Sequence, residues 1–239
     1  MIEALLLKLR LRDTVSDQEE QALRTCIDVV EAIPQRTTIV RRGELLHRSI
    51  LLLDGLVCRS KDLRDGRRQI TALHVPGDFL DLHGLTLKHL DHDVMSVAPS
   101  RVAYARHDRL VELTQTFPHL TRLLWLSTNL DAAMHREWEL SLGQRLGAAR
   151  AAHLFCELYE RLRTVDLVDG HSYVFPIHQT ELGECLGLTP VHTNRVLRDL
   201  RKMELVEFGR KFVVIRDMER LRTLADFDAA YLYLDNMPR

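Results

Sequence analysis

Hydrophobic residues recur along the chain with changing periods, and each change marks a change of architecture. Near the N-terminus Ser16-Asp17-Gln18-Glu19 has capping-box spacing, in which the serine hydroxyl accepts a free backbone N–H and the glutamate reaches back. This predicts a short helix from Asp17 to about Ala32, closed by Pro34. From Arg36 to Arg106 short runs of Leu, Val and Ile are punctuated by Arg42-Gly43, Asp54-Gly55, Asp65-Gly66 and Pro76-Gly77-Asp78. Asp-Gly pairs suit hairpin turns, so this stretch predicts five or more short strands in a small antiparallel barrel or jelly roll. After Arg106 the spacing turns helical. A short helix is expected near Asp108–Thr116, a long one from His119 to Leu142, and another from Gln144 to Arg163, separated by Gly143.

On the long helix Leu123, Leu130 and Glu137 share one heptad position, while Leu126, Ala133 and Leu140 share another. That seam repeats every 3.5 residues, which suits a second copy of the helix; packing on the chain's own barrel is the other reading. The length of the repeat favours a homodimer. Asp166–Ser172 reads as a turn or linker, and the boundary of a compact C-terminal segment is placed near Thr164–Ser172. Grouped by role, the chain divides into a roll (1–117), a long helix (118–142) and a C-terminal domain (143–239).

Composition narrows the function classes. The 239 residues are 46% hydrophobic and 28% charged, as in globular proteins and unlike disordered or collagen-like chains. Lys+Arg 33 against Asp+Glu 34 gives a formal charge of −1, so any nucleic-acid site must arise from local charge segregation. Cys26, Cys58, Cys156 and Cys185 lie far apart with no CxxC, which fits reduced thiols in a cytoplasmic protein and argues against a cysteine-ligated cluster or zinc ribbon. The N-terminal leucines precede their charges and lack a small-residue cleavage site, so no signal peptide is expected. No apolar stretch approaches the roughly 20 residues of a membrane span.

The most informative stretch is Ile177–Arg201. A helix near Gln179–Leu186 ends at Gly187, which suits a left-handed cap; a second opens with Thr189 as N-cap and Pro190 at the first helical position. Leu182, Leu186, Leu188, Val196, Leu197 and Leu200 recur at spacings that clamp the two helices together, the grammar of a helix–turn–helix. The outer face of the second helix carries Val191, His192, Asn194, Arg195, Arg198 and Lys202, and Thr189–Met203 holds four Lys/Arg against Asp199 alone. Such a helix can enter the major groove of double-stranded DNA, N-terminal turn first. Leu205–Phe208 and Lys211–Ile215 predict a two-stranded wing around Gly209-Arg210, whose cations, Arg210 and Lys211, can touch the DNA backbone.

These motifs, with Pro76-Gly77-Asp78-Phe79, Leu182–Thr189, Asn194-Arg195 and the closing Leu224–Asp228, make nearly the whole chain resemble the Crp/Fnr superfamily of bacterial transcription regulators. The resemblance implies an α+β fold: an N-terminal antiparallel, jelly-roll-like β-roll of the cyclic-nucleotide-binding type, a long dimerisation helix and a C-terminal winged helix–turn–helix. It also implies a pseudo-palindromic operator and RNA polymerase as partners. Arg195 falls at the position whose arginine reads guanine in the family, and its fork independently matches guanine O6 and N7. The glutamate usual one turn earlier is replaced, Val191 and His192 standing in that region, so the half-site should differ from the familiar ones.

Family members that bind cyclic AMP carry an Arg-Ser/Thr pair for the phosphate. The stretch from Gly77 places His92-Asp93-Val94 there, and Asp93 would repel a phosphate, so cyclic-nucleotide binding is not expected, although Lys88 offers a displaced cation. The candidate effector pocket is Gly77, Asp78, Asp81, Leu82, His92 and Asp93. No cofactor is assigned: the resemblance allows haem or another small-molecule effector, and the cysteine cluster of iron–sulfur members is missing. Asp81, His83, His89, Asp91, His92 and Asp93 also permit a competing reading, a cupin-like metal-dependent enzyme; that needs at least three convergent ligands. A scaffold binding protein partners through the heptad face ranks last, because it leaves the basic helix unexplained. Cys185 is expected to fill core space, with redox control as the lesser alternative.

Overall fold

A computed structural model of the chain describes residues 1–209 and 211–238. It contains two compact units. One comprises Met1–Ser60, Leu73–Ala132 and the segment from Tyr233 on; the other comprises Lys61–Ala72 and Ala133–Leu232.

The first unit opens with α1 (Glu3–Arg10), whose Leu5, Leu6 and Leu9 fall on one face and are buried. α2 (Asp17–Cys26) starts on the expected capping box: Ser16 N–H donates to Glu19 at 2.9 Å, and the serine hydroxyl accepts from Glu19 N–H. This helix ends earlier than the sequence pattern suggests. Ile27–Ile33 is instead a strand, β1, paired antiparallel with β7 (Ser100–Arg106) from Ile27↔Ala105 to Ile33↔Ser100. The Val29-Val30 pair within it favours the extended backbone, and the ladder to β7 supplies the hydrogen bonds a longer helix would have made.

The roll consists of two antiparallel sheets. β1, β7 and β3 (Arg48–Asp54) form one, in the order β1-β7-β3. The other runs β2 (Thr38–Val40), β6 (Asp93–Ser96), β4 (Val57–Asp62) and β5 (Arg68–His74). The Asp-Gly turns fall where expected: Gly55 (φ +94°) joins β3 to β4 and Gly66 (φ +82°) joins β4 to β5. Leu52, Val57, Leu80, Val94 and Val102 form the roll interior, while α1, Leu23, Ile27, Leu110, Leu120 and Leu123 form an adjoining cluster. Each such fully buried aliphatic side chain contributes about 1.5–3 kcal/mol. α3 (Gly84–Leu87) is a single turn, and α4 (His107–Thr116) lies close to the expected helix. The chain returns to this unit at its end, where Arg12 Nε donates to the Tyr233 carbonyl at 2.9 Å and Met237 N–H to the Arg12 carbonyl at 3.1 Å.

α5 (Pro118–Gln144) is the long helix. Leu123 packs into the roll's own core and Ala133 is buried, while Leu126 and Leu130 are half-buried and Trp125 and Leu140 are exposed. Gly143 lies within this helix and does not break it; the break comes before α6 (Gly147–Arg163).

In the second unit α6 is the central helix. Its Glu157, fully buried, accepts hydrogen bonds from Trp138 Nε1, Arg161 Nη1 (3.0 Å) and Tyr231 OH (2.8 Å), which satisfies a charge that burial would otherwise penalise. β8 (Val168–Asp169) and β9 (Ser172–Val174) turn at Gly170, and their sheet continues through β11 (Phe212–Ile215) to β10 (Val206–Gly209). α7 (Gln179–Leu186) and α8 (Pro190–Lys202) precede that last hairpin; α9 (Met218–Ala225) follows it. No helix among the described residues is long and apolar enough to cross a membrane.

Candidate nucleic-acid interface

α7 and α8 form the helix–turn–helix predicted from the glycine and proline spacing. Gly187 closes α7 at φ +62°, ψ +36°, a left-handed conformation that costs glycine little, and Leu188 N–H donates to the Gly183 carbonyl at 2.9 Å across the helix end. Thr189 is the N-cap of α8, with Pro190 in its first turn. Where the helices cross, Gly183 has no room for a side chain: a Cβ there would stand 2.9 Å from both the Leu188 carbonyl and Thr193 Oγ1. Thr193, Val196, Leu197 and Leu200 bury one face of α8.

The opposite face is open. Thr189, Pro190, Val191 (78% exposed), His192, Asn194, Arg195, Arg198 and Lys202 are all exposed, and so is Arg201, which the sequence reading left out of this face. Arg198 Nε lies 3.8 Å from Asp199, a weak surface pair, while Arg195 has no carboxylate partner among the described residues. The N-cap brings two residues of the face together, with Thr189 Oγ1 3.0 Å from His192 Nδ1. On the wing, Lys211 (φ +69°) is exposed and immediately precedes the return strand β11; Arg210, the other wing cation, lies outside the described residues.

Arg150 on α6 anchors this reader. Its guanidinium donates to the Leu142 carbonyl at 2.9 Å, to Arg145 at 3.0 Å and to the carbonyl of Leu186, the last residue of α7. A cation at carbonyls of helix ends meets the negative pole of the dipole. Burial with no compensating carboxylate lowers the pKa of Arg150. A partly open pocket beside it is lined by Trp138, Ser141, His153 and Cys185, among others. Burial pushes the His153 imidazole down to about 3, and Cys185 is a buried thiol outside any disulfide.

The candidate effector residues divide. Gly77 turns (φ +87°) with its backbone against α1, where a Cβ would come within 2.7 Å of the Ala4 carbonyl. Asp78 accepts from Lys8 Nζ and from Val75 N–H (2.9 Å); Leu82 belongs to the apolar cluster; Asp93 caps the Arg42 N–H at 2.7 Å. Asp81 and His92 come together with two residues the sequence reading did not assign to the pocket, His83 and Arg59. Arg59, 2% exposed on β4, donates through Nε (2.9 Å) and Nη2 (2.6 Å) to the Leu80 carbonyl and through Nη1 to the Asp131 carboxylate on α5. Asp81, 0% exposed, accepts from Ile50 N–H at 2.6 Å, and burial pushes its carboxyl up to about 7. Burial, with Arg59 adding to it, lowers His83 to about 4 and lowers His92; the two rings lie 5.7 Å apart. His89 and Asp91 are exposed, and among the described residues no group of three His, Cys, Asp or Glu side chains is placed to hold a metal ion.

Comparison with known proteins agrees with this arrangement. Residues 30–117 match the cyclic nucleotide-binding domain family and residues 149–224 the Crp-like helix-turn-helix domain family. Over 219 residues the chain is 26% identical to the transcriptional activator protein FnrL of Cereibacter sphaeroides, covering 89% of this chain and 87% of that protein. It is 23% identical over 206 residues to the transcriptional activator protein Anr of Pseudomonas aeruginosa, covering 83% and 84%. Among solved structures, FixK2 from Bradyrhizobium japonicum superposes with a TM-score of 0.74 at 25% identity, covering 82% of this chain and 96% of that one.

Proposed function

Since the chain belongs to the Crp/Fnr family of transcriptional regulators and is a DNA-binding protein rather than an enzyme, we propose that it acts as a homodimer on a pseudo-palindromic operator, with α8 in the major groove. The observation that carries this reading is the outward cationic face of α8, with Arg195 unpaired among the described residues and the apolar face locked beneath it. Arg195 would read guanine by a bidentate contact, Val191 would meet a thymine methyl, and His192 and Asn194 would meet a base edge or phosphate. Arg198, Lys202, Arg210 and Lys211 would hold the backbone, and the N-terminus of α8, with Thr189 and Pro190, would face a phosphate.

The dimer reading draws support from α5. Trp125 (66% exposed) and Leu140 (48% exposed) leave apolar surface that a second copy of the helix would cover. The exposed positions 125, 129, 132, 136 and 140 keep near-heptad spacing, with Leu126 and Leu130 half-buried beside them. Two reader helices would then sit roughly 34–36 Å apart, one duplex turn. RNA polymerase is the further partner. We also propose that the roll does not take a cyclic nucleotide: Asp93 stands where a phosphate-binding residue is needed, and Arg59 is already engaged by Asp131 and the Leu80 carbonyl. Selection of bound sequences from a randomised duplex pool, with wild type and Arg195→Ala, tests the central claim. The wild type is expected to enrich a two-fold motif containing guanine and Arg195→Ala to lose that guanine. Undiminished discrimination by the variant would remove Arg195 as a reader.

A further inference from the structure

The first turn of α8 sets the His192 ring against its own N-cap, which supports an inference that rests on the DNA-binding reading. Thr189 Oγ1 accepts the His192 backbone N–H at 3.4 Å, as an N-cap should. The same oxygen stands 3.0 Å from the His192 Nδ1 atom. Thr189's carbonyl is used separately, by Thr193 N–H at 2.9 Å and Thr193 Oγ1 at 3.0 Å. A hydroxyl has one proton to give. The cap bond takes one of the oxygen's two lone pairs and leaves its proton free for Nδ1; donated there, that proton makes Nδ1 the acceptor and leaves the ring hydrogen on Nε2. This is also the commoner tautomer of a free histidine side chain.

We propose that Thr189 fixes His192 as an outward Nε2–H donor, and that His192 is thereby a specificity-determining residue that selects a guanine beside the base read by Arg195. Three residues apart, His192 and Arg195 share one face of α8 and reach neighbouring base pairs. Guanine is the base that suits a single neutral donor, because its major-groove edge presents two acceptors, N7 and O6. Adenine sets an amino donor beside its N7, cytosine offers a donor, and thymine flanks its one acceptor with a methyl group.

The test uses the full chain as wild type, His192→Ala, His192→Glu and Thr189→Ser, each put through selection from a randomised duplex pool, followed by titration of the enriched site. Wild type is expected to enrich guanine at one pair adjacent to the pair that Arg195→Ala abolishes. His192→Ala should lose the preference at that pair alone, with affinity falling about three- to tenfold, the worth of one hydrogen bond. Replacing that guanine with 7-deazaguanine should weaken wild type by a similar factor and leave His192→Ala unaffected. His192→Glu, an acceptor alone, should switch the pair to cytosine, and Thr189→Ser, which keeps both the cap and the proton, should behave as wild type. A wild type that enriches cytosine or adenine there, or a motif unchanged by His192→Ala, overturns the assignment while leaving the DNA reading intact. Failure of the DNA reading looks different: no variant, wild type included, would enrich any motif.

Discussion

Replacing Gly183 with alanine sets two opposed effects against each other. In an ordinary helix the change favours folding by about 1 kcal/mol, because glycine forfeits more backbone entropy. Here the added Cβ would lie 2.9 Å from the Leu188 carbonyl oxygen and 2.9 Å from Thr193 Oγ1. Neither can swing aside. Leu188 is backbone in the short turn, and Thr193 is fully buried with its hydroxyl bonded to the Thr189 carbonyl at 3.0 Å. Forcing α7 and α8 apart is an overpacking cost of about 1–3 kcal/mol set against the propensity gain, for a net loss of up to about 2 kcal/mol. Gly143 is the control: it lies in α5, and a Cβ there meets nothing within 4 Å, so Gly143→Ala should stabilise by about 0.5–1 kcal/mol. Denaturant unfolding, following the transition of the second unit, reads both; operator titration shows whether displacement of α8 costs affinity as well. Gly183→Ala at or above wild-type stability, with unchanged operator affinity, would refute the claim that the helices meet backbone to side chain at this point.

Three further outcomes rest on other contacts in the molecule. Asp81, with its carboxyl raised to about 7 from 3.8, stays protonated in the fold while the unfolded chain ionises; its own contribution to stability should fall as pH rises through that window, by up to about 1.4 kcal/mol per unit, against the opposite trend of the lowered His83 and His92, so Asp81→Asn, which keeps the bond from Ile50 N–H, should make stability rise more steeply with pH than wild type in urea titrations. Arg150→Ala strands the carbonyls of Leu142, Arg145 and Leu186, with an expected cost on the order of 2–3 kcal/mol; Arg150→Lys should recover part of it, since an ammonium lacks the planar fork, and recovery equal to wild type would contradict the geometry. Log affinity for the operator should fall linearly with log salt, and Lys202→Ala should shallow the slope by about 0.9 without altering base preference, as expected of a phosphate contact.

The reader was legible because its signals are local. Gly187, Thr189 and Pro190 fix where one helix ends and the next begins, and the observed Gln179–Leu186 and Pro190–Lys202 follow from those residues alone. The Asp-Gly turns were legible for the same reason. What escaped depends on residues distant in the chain. Ile27–Ile33 reads as the continuation of a capped helix until β7, some seventy residues on, offers it a ladder. α1 has buried leucines at positions 5, 6 and 9, but its eight residues are too few to stand out from an apolar N-terminus. Arg59 could not be assigned to the interior of the roll from sequence, since its partners, Leu80 and Asp131, lie 21 and 72 residues away. The heptad positions on α5 were recognisable, yet sequence could not separate those facing the roll, such as Leu123, from those left open, such as Leu140.

The return of the chain to Arg12 from Tyr233 on, and the grouping of Lys61–Ala72 with the C-terminal unit, interlace the two units along the polypeptide. No single cut divides them cleanly. A fragment ending at the loop between α5 and α6 would carry a hairpin segment that belongs to the other unit, and the fragment beginning there would carry a tail that belongs to the first. Dissecting the regulator into freestanding pieces therefore calls for grafting or deleting both segments.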